Sequence, residues 1–242
     1  MTQFAIHHKA RCVVAVDGDT SRDTFLVGTA VAAGVRESPP YPAAPSNDVQ
    51  LVQFRPDEGE VECLRIYEHT AGEVWGLAAC PQDRRLFASV HTAPPAHKIP
   101  AAAGCAEPVA GTVFRMTDMD ADVVSTLTSP LERVADLSSA HASSLRVARW
   151  GGAQAALATA GDTDVVLWSA ADGAGAMLPM HSAELGTGSR RSAGGPASAL
   201  AWRADSADVV LVAAGGAVAG MDMRAPLEAF RISRIDESKV DE

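Results

Sequence analysis

The chain has 242 residues, of which 47% are hydrophobic and 21% charged, an ordinary balance for a globular protein. Its formal net charge is −10, and no basic concentration of the kind that grips phosphates is visible, which argues against nucleic-acid binding. Residues 209–221, the longest uncharged apolar run, are too short to span a bilayer. The N-terminus lacks a secretory pattern, and the scattered cysteines predict reduced thiols in a cytoplasmic protein.

Residues 1–68 form the first of four similar units. The unit contains short apolar runs, and its last two runs flank residues 55–60, a good hairpin turn. The second unit, residues 69–120, begins at His69 and ends in a run that contains Phe114. Short runs separated by turn residues are typical of antiparallel strands.

The third unit, residues 121–180, is the most regular. Residues 127–137 have the spacing of a short helix, but Pro130 interrupts them. His141 then precedes two apolar runs, an Asp162-bearing turn follows, and the next strand ends in Trp168. The fourth unit, residues 195–226, repeats the pattern more weakly, and residues 231–242 are expected to be a flexible tail.

These units predict an all-β fold, a WD-repeat β-propeller with about four blades present as a partial or truncated ring over residues 1–230. The third blade is predicted to be framed by buried hydrogen bonds among His141, Thr159, Asp162 and Trp168, where each polar group needs a partner. Phe114 and Met221 are assigned to the tryptophan position of other units, and Gly215 to the aspartate position of the fourth.

This frame is interpreted as structural. A catalytic interpretation of His141 and Asp162, as base and orienting group, needs a nucleophile that the sequence does not indicate. No catalytic residue, cofactor or metal ligand is predicted, and His91 is expected to be a solvated loop histidine. Trp75, Trp150 and Trp202 are expected to pack in the core, although an aromatic ligand cage is conceivable.

Several segments resemble the EARP-interacting protein family of WD-repeat proteins, the tumour-suppressing subtransferable fragment candidate type. They are residues 10–12, 23–29, 69–75 with Pro81, 113–116, Trp168 and 220–224, of which 69–75 is the most specific. The resemblance implies a non-catalytic adaptor in endosomal recycling and endosome-to-Golgi (trans-Golgi network) trafficking, with EARP and GARP tethering-complex subunits as partners. It also implies a seven-bladed ring and a cytoplasmic location, peripheral on endosome or Golgi membranes through partners.

Two alternatives stay open at this stage. One is a WD-type receptor for peroxisomal targeting signals, and the other is an enzyme with a site on the propeller axis. Four units are too few to close a ring and would leave sticky edges. The chain is therefore expected to be a piece of a longer propeller, to receive strands from a partner, or to self-associate through its open blade edges.

Overall fold

A computed structural model describes residues 9–30, 47–93, 108–117, 119, 128–151, 156–170, 177–185, 196–203, 209–215, 217–222 and 231–233. These residues form sixteen β-strands and one short 3-10 helix, Ser138–Ala140. Across the described ranges, no helix has the length and apolar character needed to cross a membrane. The all-β prediction is confirmed.

The strands form four antiparallel groups of four in chain order, which are the blades. Blade 1 contains β1 (Ala10–Ala15), β2 (Asp23–Thr29), β3 (Asp48–Arg55) and β4 (Glu60–Glu68). Blade 2 contains β5 (Val74–Ala79), β6 (Leu86–Thr92), β7 (Val109–Met116) and β8 (Thr128–Asp136). Blade 3 contains β9 (Leu145–Gly151), β10 (Ala156–Gly161), β11 (Asp164–Ala170) and β12 (Met177–Glu184). Blade 4 contains β13 (Ala197–Trp202), β14 (Val209–Ala214), β15 (Ala217–Asp222) and β16 (Arg231–Ser233).

Three predicted blade boundaries are wrong. Strand β8 belongs to blade 2, which therefore extends past residue 120, and β12 continues past the predicted end of the third unit at residue 180. Strand β16 lies in the predicted tail. Pro130 does not prevent β8 because the antiparallel ladder with β7 begins at the next residue, Leu131, so no β7 bond needs a proline N–H. The first residues of β8 pair in parallel with β4, which joins the outer strands of blades 1 and 2.

The first strand of each blade lies innermost, and β1, β5, β9 and β13 contact one another in series. Each inner strand has a one-residue β-bulge near its start. The extra residues, which we call the bulge row, are Arg11, Trp75, Arg146 and Ser198. A bulge at the same register in all four blades fixes which residues are equivalent and re-aims the bulged side chains.

The core lies between the blades. Three apolar clusters fill the junctions between blades 1 and 2, 2 and 3, and 3 and 4. The junction between blades 1 and 2 contains Leu51 and Phe87, and the junction between blades 2 and 3 contains Val113 and Leu157. The junction between blades 3 and 4 contains Leu167 and Val212. Among the described residues, no comparable cluster joins blade 4 to blade 1. The predicted four-bladed partial propeller is therefore confirmed.

Candidate functional site

The buried frame of blade 3 is a chain of side-chain hydrogen bonds. Trp168 Nε1 donates to Thr159 Oγ1 at 2.7 Å, and His141 Nε2 lies 2.7 Å from the same hydroxyl. His141 Nδ1 lies 3.1 Å from Asp164 Oδ1. The indole donates to the hydroxyl and the hydroxyl can donate to Nε2, while Nδ1 lies beside the carboxylate without the geometry of a hydrogen bond. The frame thereby ties the loop before β9 to β10 and β11.

The carboxylate of this frame is Asp164, and the prediction of Asp162 is wrong. Asp164 begins β11, and it lies on the same side of that strand as Trp168, four residues on. Its oxygens also accept from the backbone N–H of Ala142 and from Ser143 Oγ, both at 2.9 Å. Asp162 lies in the preceding turn and accepts from Arg146 Nε at 2.6 Å.

The environment of Asp164 keeps it ionised. Burial acts to raise its pKa, but His141 and the donors of Ala142 and Ser143 together outweigh that effect, so the pKa lies below its ordinary value. The negative charge of Asp164 is therefore balanced by groups within the blade itself. It orients His141 and holds the loop that leads into β9.

Blade 2 contains a variant of the same frame, which the sequence analysis did not identify. His69 Nε2 lies 2.8 Å from Ser89 Oγ, and its Nδ1 lies 2.9 Å from the carbonyl oxygen of Gly72. Phe114 takes the tryptophan position, as predicted, and its ring meets His69 edge to face at a centroid distance of 5.2 Å. The histidine–hydroxyl pair is thus retained, while an aromatic contact replaces the indole hydrogen bond.

Blades 2 and 3 differ at one pair of facing positions, where a change at one position goes with a change at the other. A Cβ atom on Gly161 would lie 2.6 Å from Asp164 Oδ1, so the carboxylate requires a glycine beside it. In blade 2 the corresponding pair is His91 opposite Ala110. The imidazole of His91 occupies this side of the blade, and its Nε2 lies 3.0 Å from Thr112 Oγ1. His91 is 2% exposed within β6, so the prediction of a solvated loop histidine is wrong.

The two histidines of blade 2 lie together in the core. Their ring centroids are 5.3 Å apart. Burial, followed by the charge of His91, lowers the pKa of His69 to about 4, although the Gly72 carbonyl acts in the opposite direction. His69 is therefore neutral at pH 7. Within the described ranges, no group of three or more His, Cys, Asp or Glu side chains is placed to hold a metal ion.

Blades 1 and 4 lack this frame at the equivalent positions. The register assigns valines to the hydroxyl position, and Val52 and Met221 to the tryptophan position. Met221 agrees with the predicted assignment. Gly215 lies in the β14–β15 turn with a φ of 54° and corresponds to Asp162, as predicted. The frame aspartate is Asp164, whose equivalent in blade 4 is Ala217, so Gly215 does not occupy the frame position.

Blade 4 has apolar residues at the frame positions, whereas blade 1 keeps a buried aspartate, Asp48, at the position of Asp164. The backbone N–H of Asp48 donates to Thr29 Oγ1 at 2.7 Å, and that hydroxyl donates to the Asp48 carbonyl oxygen at 3.0 Å.

Trp75 departs from the predicted core packing. Trp150 is 8% exposed and Trp202 is half-buried, whereas Trp75 is 45% exposed because it is the bulge residue of β5. Its Nε1 donates to Thr92 Oγ1 at 3.0 Å, and Arg11 Cζ lies 3.8 Å from the ring centroid. The indole is held from its edge and from one face while much of its surface faces solvent.

The bulge row lies at the same ends of the inner strands as the loops that carry His69 and His141. Its two arginines are paired with acidic residues: Arg11 lies 3.4 Å from Glu73, and Arg146 lies 2.6 Å from Asp162. The row therefore combines one exposed, fixed aromatic ring with balanced charges. We take it as the candidate binding site, and the buried frames as its support.

Sequence comparison finds a WD-repeat protein that is similar to part of the chain. No protein-family profile matches. The WD repeat-containing protein DWA2 of Arabidopsis thaliana is 29% identical over 87 residues, which is 36% of this chain and 21% of that protein. The match thus spans about one fifth of the length of that relative.

Solved structures match a larger share of the chain at low identity. An outer-coat vertex of COPII on membranes superposes with a TM-score of 0.53 at 12% identity, over 83% of this chain and 44% of that one. Chaetomium thermophilum Sqt1, bound to the N-terminus of ribosomal protein L10, gives 0.57 at 14%, over 93% and 49%. The periplasmic gluconolactonase PpgL of Pseudomonas aeruginosa gives 0.57 at 14%, over 90% and 56%.

The chain spans about half the length of these three solved chains. At such identities the structural likeness shows the fold alone. These comparisons support membership of the broad WD-repeat class, and they give no support for the more specific EARP-interacting family. The chain is a partial β-propeller whose sequence similarity lies with WD-repeat proteins.

Proposed function

We propose that this protein is a non-catalytic scaffold that binds a protein partner through the bulge row, with Trp75 as the main contact. The observation that carries the proposal is the 45% exposure of an indole that is nevertheless fixed by Thr92 and Arg11. A fixed aromatic ring loses little conformational entropy on binding, and tryptophan is enriched among the residues that dominate interface energies.

The charges around Trp75 favour a protein partner over a nucleic acid. Arg11 and Arg146 each lie beside a carboxylate, so the row has no surplus of positive charge to neutralise phosphates. The overall charge of −10 acts in the same direction. A mixed polar surface around an aromatic centre is typical of transient protein interfaces.

We infer a role in endosomal recycling and endosome-to-Golgi trafficking, with EARP and GARP tethering-complex subunits as the partners. The support is the resemblance of residues 69–75, because this segment contains both His69 of the blade 2 frame and Trp75 of the bulge row. In this proposal the protein is cytoplasmic and reaches endosome or Golgi membranes through its partners.

An enzyme with an axial site is the second candidate, and the propeller fold of the gluconolactonase PpgL is the observation that favours it. The buried histidines of this chain weigh against it. His69, His91 and His141 all bond to groups of their own blade, where they hold strands and loops in place. The non-catalytic role is therefore the stronger proposal.

The test is affinity capture from a cell lysate, quantified by mass spectrometry, with the wild-type chain and two variants. Trp75→Ala removes the proposed contact. Leu178→Ala is the matched control, because Leu178 is a 57% exposed apolar residue on the outer strand of blade 3. We expect tethering-complex subunits with the wild type and the control, and their loss with Trp75→Ala.

Thermal melting establishes that Trp75→Ala is folded before its capture result is interpreted. Recovery of peroxisomal cargo in place of tethering subunits would overturn the trafficking proposal in favour of the receptor alternative. Equal recovery of tethering subunits by wild type and Trp75→Ala would overturn the assignment of the bulge row as the binding surface.

A further inference from the structure

Trp75 is held by Thr92, the last residue of β6. Its Nε1 donates to Thr92 Oγ1 at 3.0 Å, and the backbone N–H of Thr92 donates to the carbonyl oxygen of Glu73 at 3.0 Å. Thr92 therefore contacts both the indole and the loop that leads into β5. A displacement of Thr92 would also displace the ring that we take as the main binding contact.

The strand register gives Thr92 an equivalent in every blade. The second strand of each blade contains a residue that pairs with the one just before the bulge, and we call the next residue the anchor position. Its occupants in blades 1 to 4 are Ala30, Thr92, Asp162 and Gly215. Asp162 accepts from the bulge residue Arg146 at 2.6 Å, just as Thr92 accepts from Trp75. Alanine and glycine have no side-chain acceptor, so this anchoring contact belongs to blades 2 and 3.

His91 holds the backbone of the blade 2 anchor. It is buried, and it pairs with Val74, the residue just before the bulge. Its Nδ1 lies 2.9 Å from the carbonyl oxygen of Thr92, and its Nε2 lies 3.0 Å from Thr112 Oγ1. A carbonyl oxygen can only accept a hydrogen bond, so Nδ1 is the donor and carries a proton. A buried ring nitrogen thus fixes the residue that holds the exposed indole.

The loop before β5 leaves no room for the kind of support that blade 3 uses. In blade 3 the backbone N–H of Asp162 donates to Ser143 Oγ at 2.9 Å, and Ser143 lies two residues before β9. Gly72 lies two residues before β5, and a Cβ atom there would lie 2.6 Å from the carbonyl oxygen of Thr92. His91 therefore supplies from within β6 the support that a loop serine supplies in blade 3.

We propose that His91 is a positioning residue of the binding site, whose Nδ1–H bond to the Thr92 carbonyl fixes the anchor that holds Trp75 in its binding orientation. The inference rests on the proposed function, in which Trp75 is the main contact. A ring that is already held loses less conformational entropy on binding than a ring that must first be ordered. Loss of the Nδ1–H bond should therefore release the indole and weaken binding.

The first test uses the wild-type chain without a partner. NMR of the 15N-labelled protein reports which ring nitrogen of each histidine carries a proton. We expect a protonated Nδ1 in His91, because only that nitrogen faces the Thr92 carbonyl. An unprotonated Nδ1 would overturn the proposal, since it could not donate to this oxygen.

Two substitutions separate the roles of the two ring nitrogens. His91→Asn places an amide N–H near the position of Nδ1 and can keep the bond to Thr92. His91→Gln places its amide near the position of Nε2 and can keep only the bond to Thr112. Both variants bury one amide group, so their melting temperatures should be similar. Thr92→Val, which removes the anchoring hydroxyl, shows the behaviour of a released indole.

The exchange of the Trp75 indole proton with water reports whether the ring is held, and Trp75→Phe assigns its resonance. We expect exchange in His91→Gln and Thr92→Val to be about three to ten times faster than in the wild type, the factor that a lost hydrogen bond gives. His91→Asn should restore slow exchange. Circular dichroism verifies folding, and if His91→Gln does not fold, Thr92→Val and the protonation of Nδ1 decide the test.

Calorimetric titration with a purified tethering-complex subunit then connects the orientation of Trp75 to affinity. His91→Gln should raise Kd about threefold to tenfold, and His91→Asn should keep it within about twofold of the wild type. A wild-type chain that does not bind the subunit would overturn the proposed function. Equal exchange of the Trp75 indole proton in the wild type and in His91→Gln would overturn the positioning role of His91, whether or not the subunit binds.

Discussion

Thr159→Val tests the buried frame of blade 3 with almost no change in side-chain volume. The Thr159 hydroxyl accepts from Trp168 Nε1 and meets His141 Nε2, both at 2.7 Å, in a site that is 0% exposed. Valine would leave both ring nitrogens buried without that partner. An unsatisfied buried polar group costs about 1–3 kcal/mol, and His141 keeps Asp164 at 3.1 Å. We therefore expect a loss of about 2–4 kcal/mol in the free energy of unfolding.

Urea denaturation followed by circular dichroism measures this change. Thr163→Val is the matched control, since Thr163 is an exposed residue of the neighbouring turn and its substitution should alter stability by less than about 0.5 kcal/mol. If Thr159→Val and Thr163→Val have the same unfolding free energy as the wild type, the hydroxyl does not hold the frame together and the reasoning is refuted.

Two further predictions concern the blade 2 frame and the junction between blades 3 and 4. The pKa of His69 is about 4 in the folded chain and about 6.5 in the unfolded chain. As the pH falls, the unfolded chain binds a proton before the folded chain does, so the free energy of unfolding should decrease by about 3 kcal/mol from pH 6.5 to 4. His69→Gln should flatten that dependence in urea titrations, and an unchanged slope would contradict it. Gly151→Ala should lower the melting temperature, because its Cβ would lie 2.1 Å from the Trp202 ring. Gly76→Ala, whose nearest atom is 3.8 Å away, is the control, and equal melting temperatures would exclude the clash.

The repeat pattern and three members of the blade 3 frame could be predicted because they follow from spacing along strands. Alternation identifies a strand, and a histidine, a hydroxyl and a tryptophan at the right intervals identify which faces meet. The choice between Asp162 and Asp164 depends on where the turn ends and β11 begins, which propensity does not resolve. The presence of Gly161 was the available signal, since only a glycine there leaves room for the carboxylate of Asp164.

The candidate site itself was mispredicted for a different reason. A bulge shifts one residue out of the period-2 pattern, and the sequence does not show which residue is extra. Trp75 therefore looked like the packed tryptophans Trp150 and Trp202, while the structure places it on the exposed bulge of β5. Strand β8 was missed because a proline is unfavourable within an antiparallel ladder, whereas Pro130 precedes the ladder with β7 by one residue and pairs only with β4.

The affinity for a purified tethering-complex subunit tests the proposed binding role most directly. Isothermal titration calorimetry would compare the wild type, Trp75→Ala and Leu178→Ala under one buffer condition. Because a dominant interface residue contributes about 2 kcal/mol or more, Trp75→Ala should raise Kd at least about thirtyfold, and Leu178→Ala should leave it within about twofold. Equal affinities for the wild type and Trp75→Ala would contradict the assignment of Trp75 as the main contact.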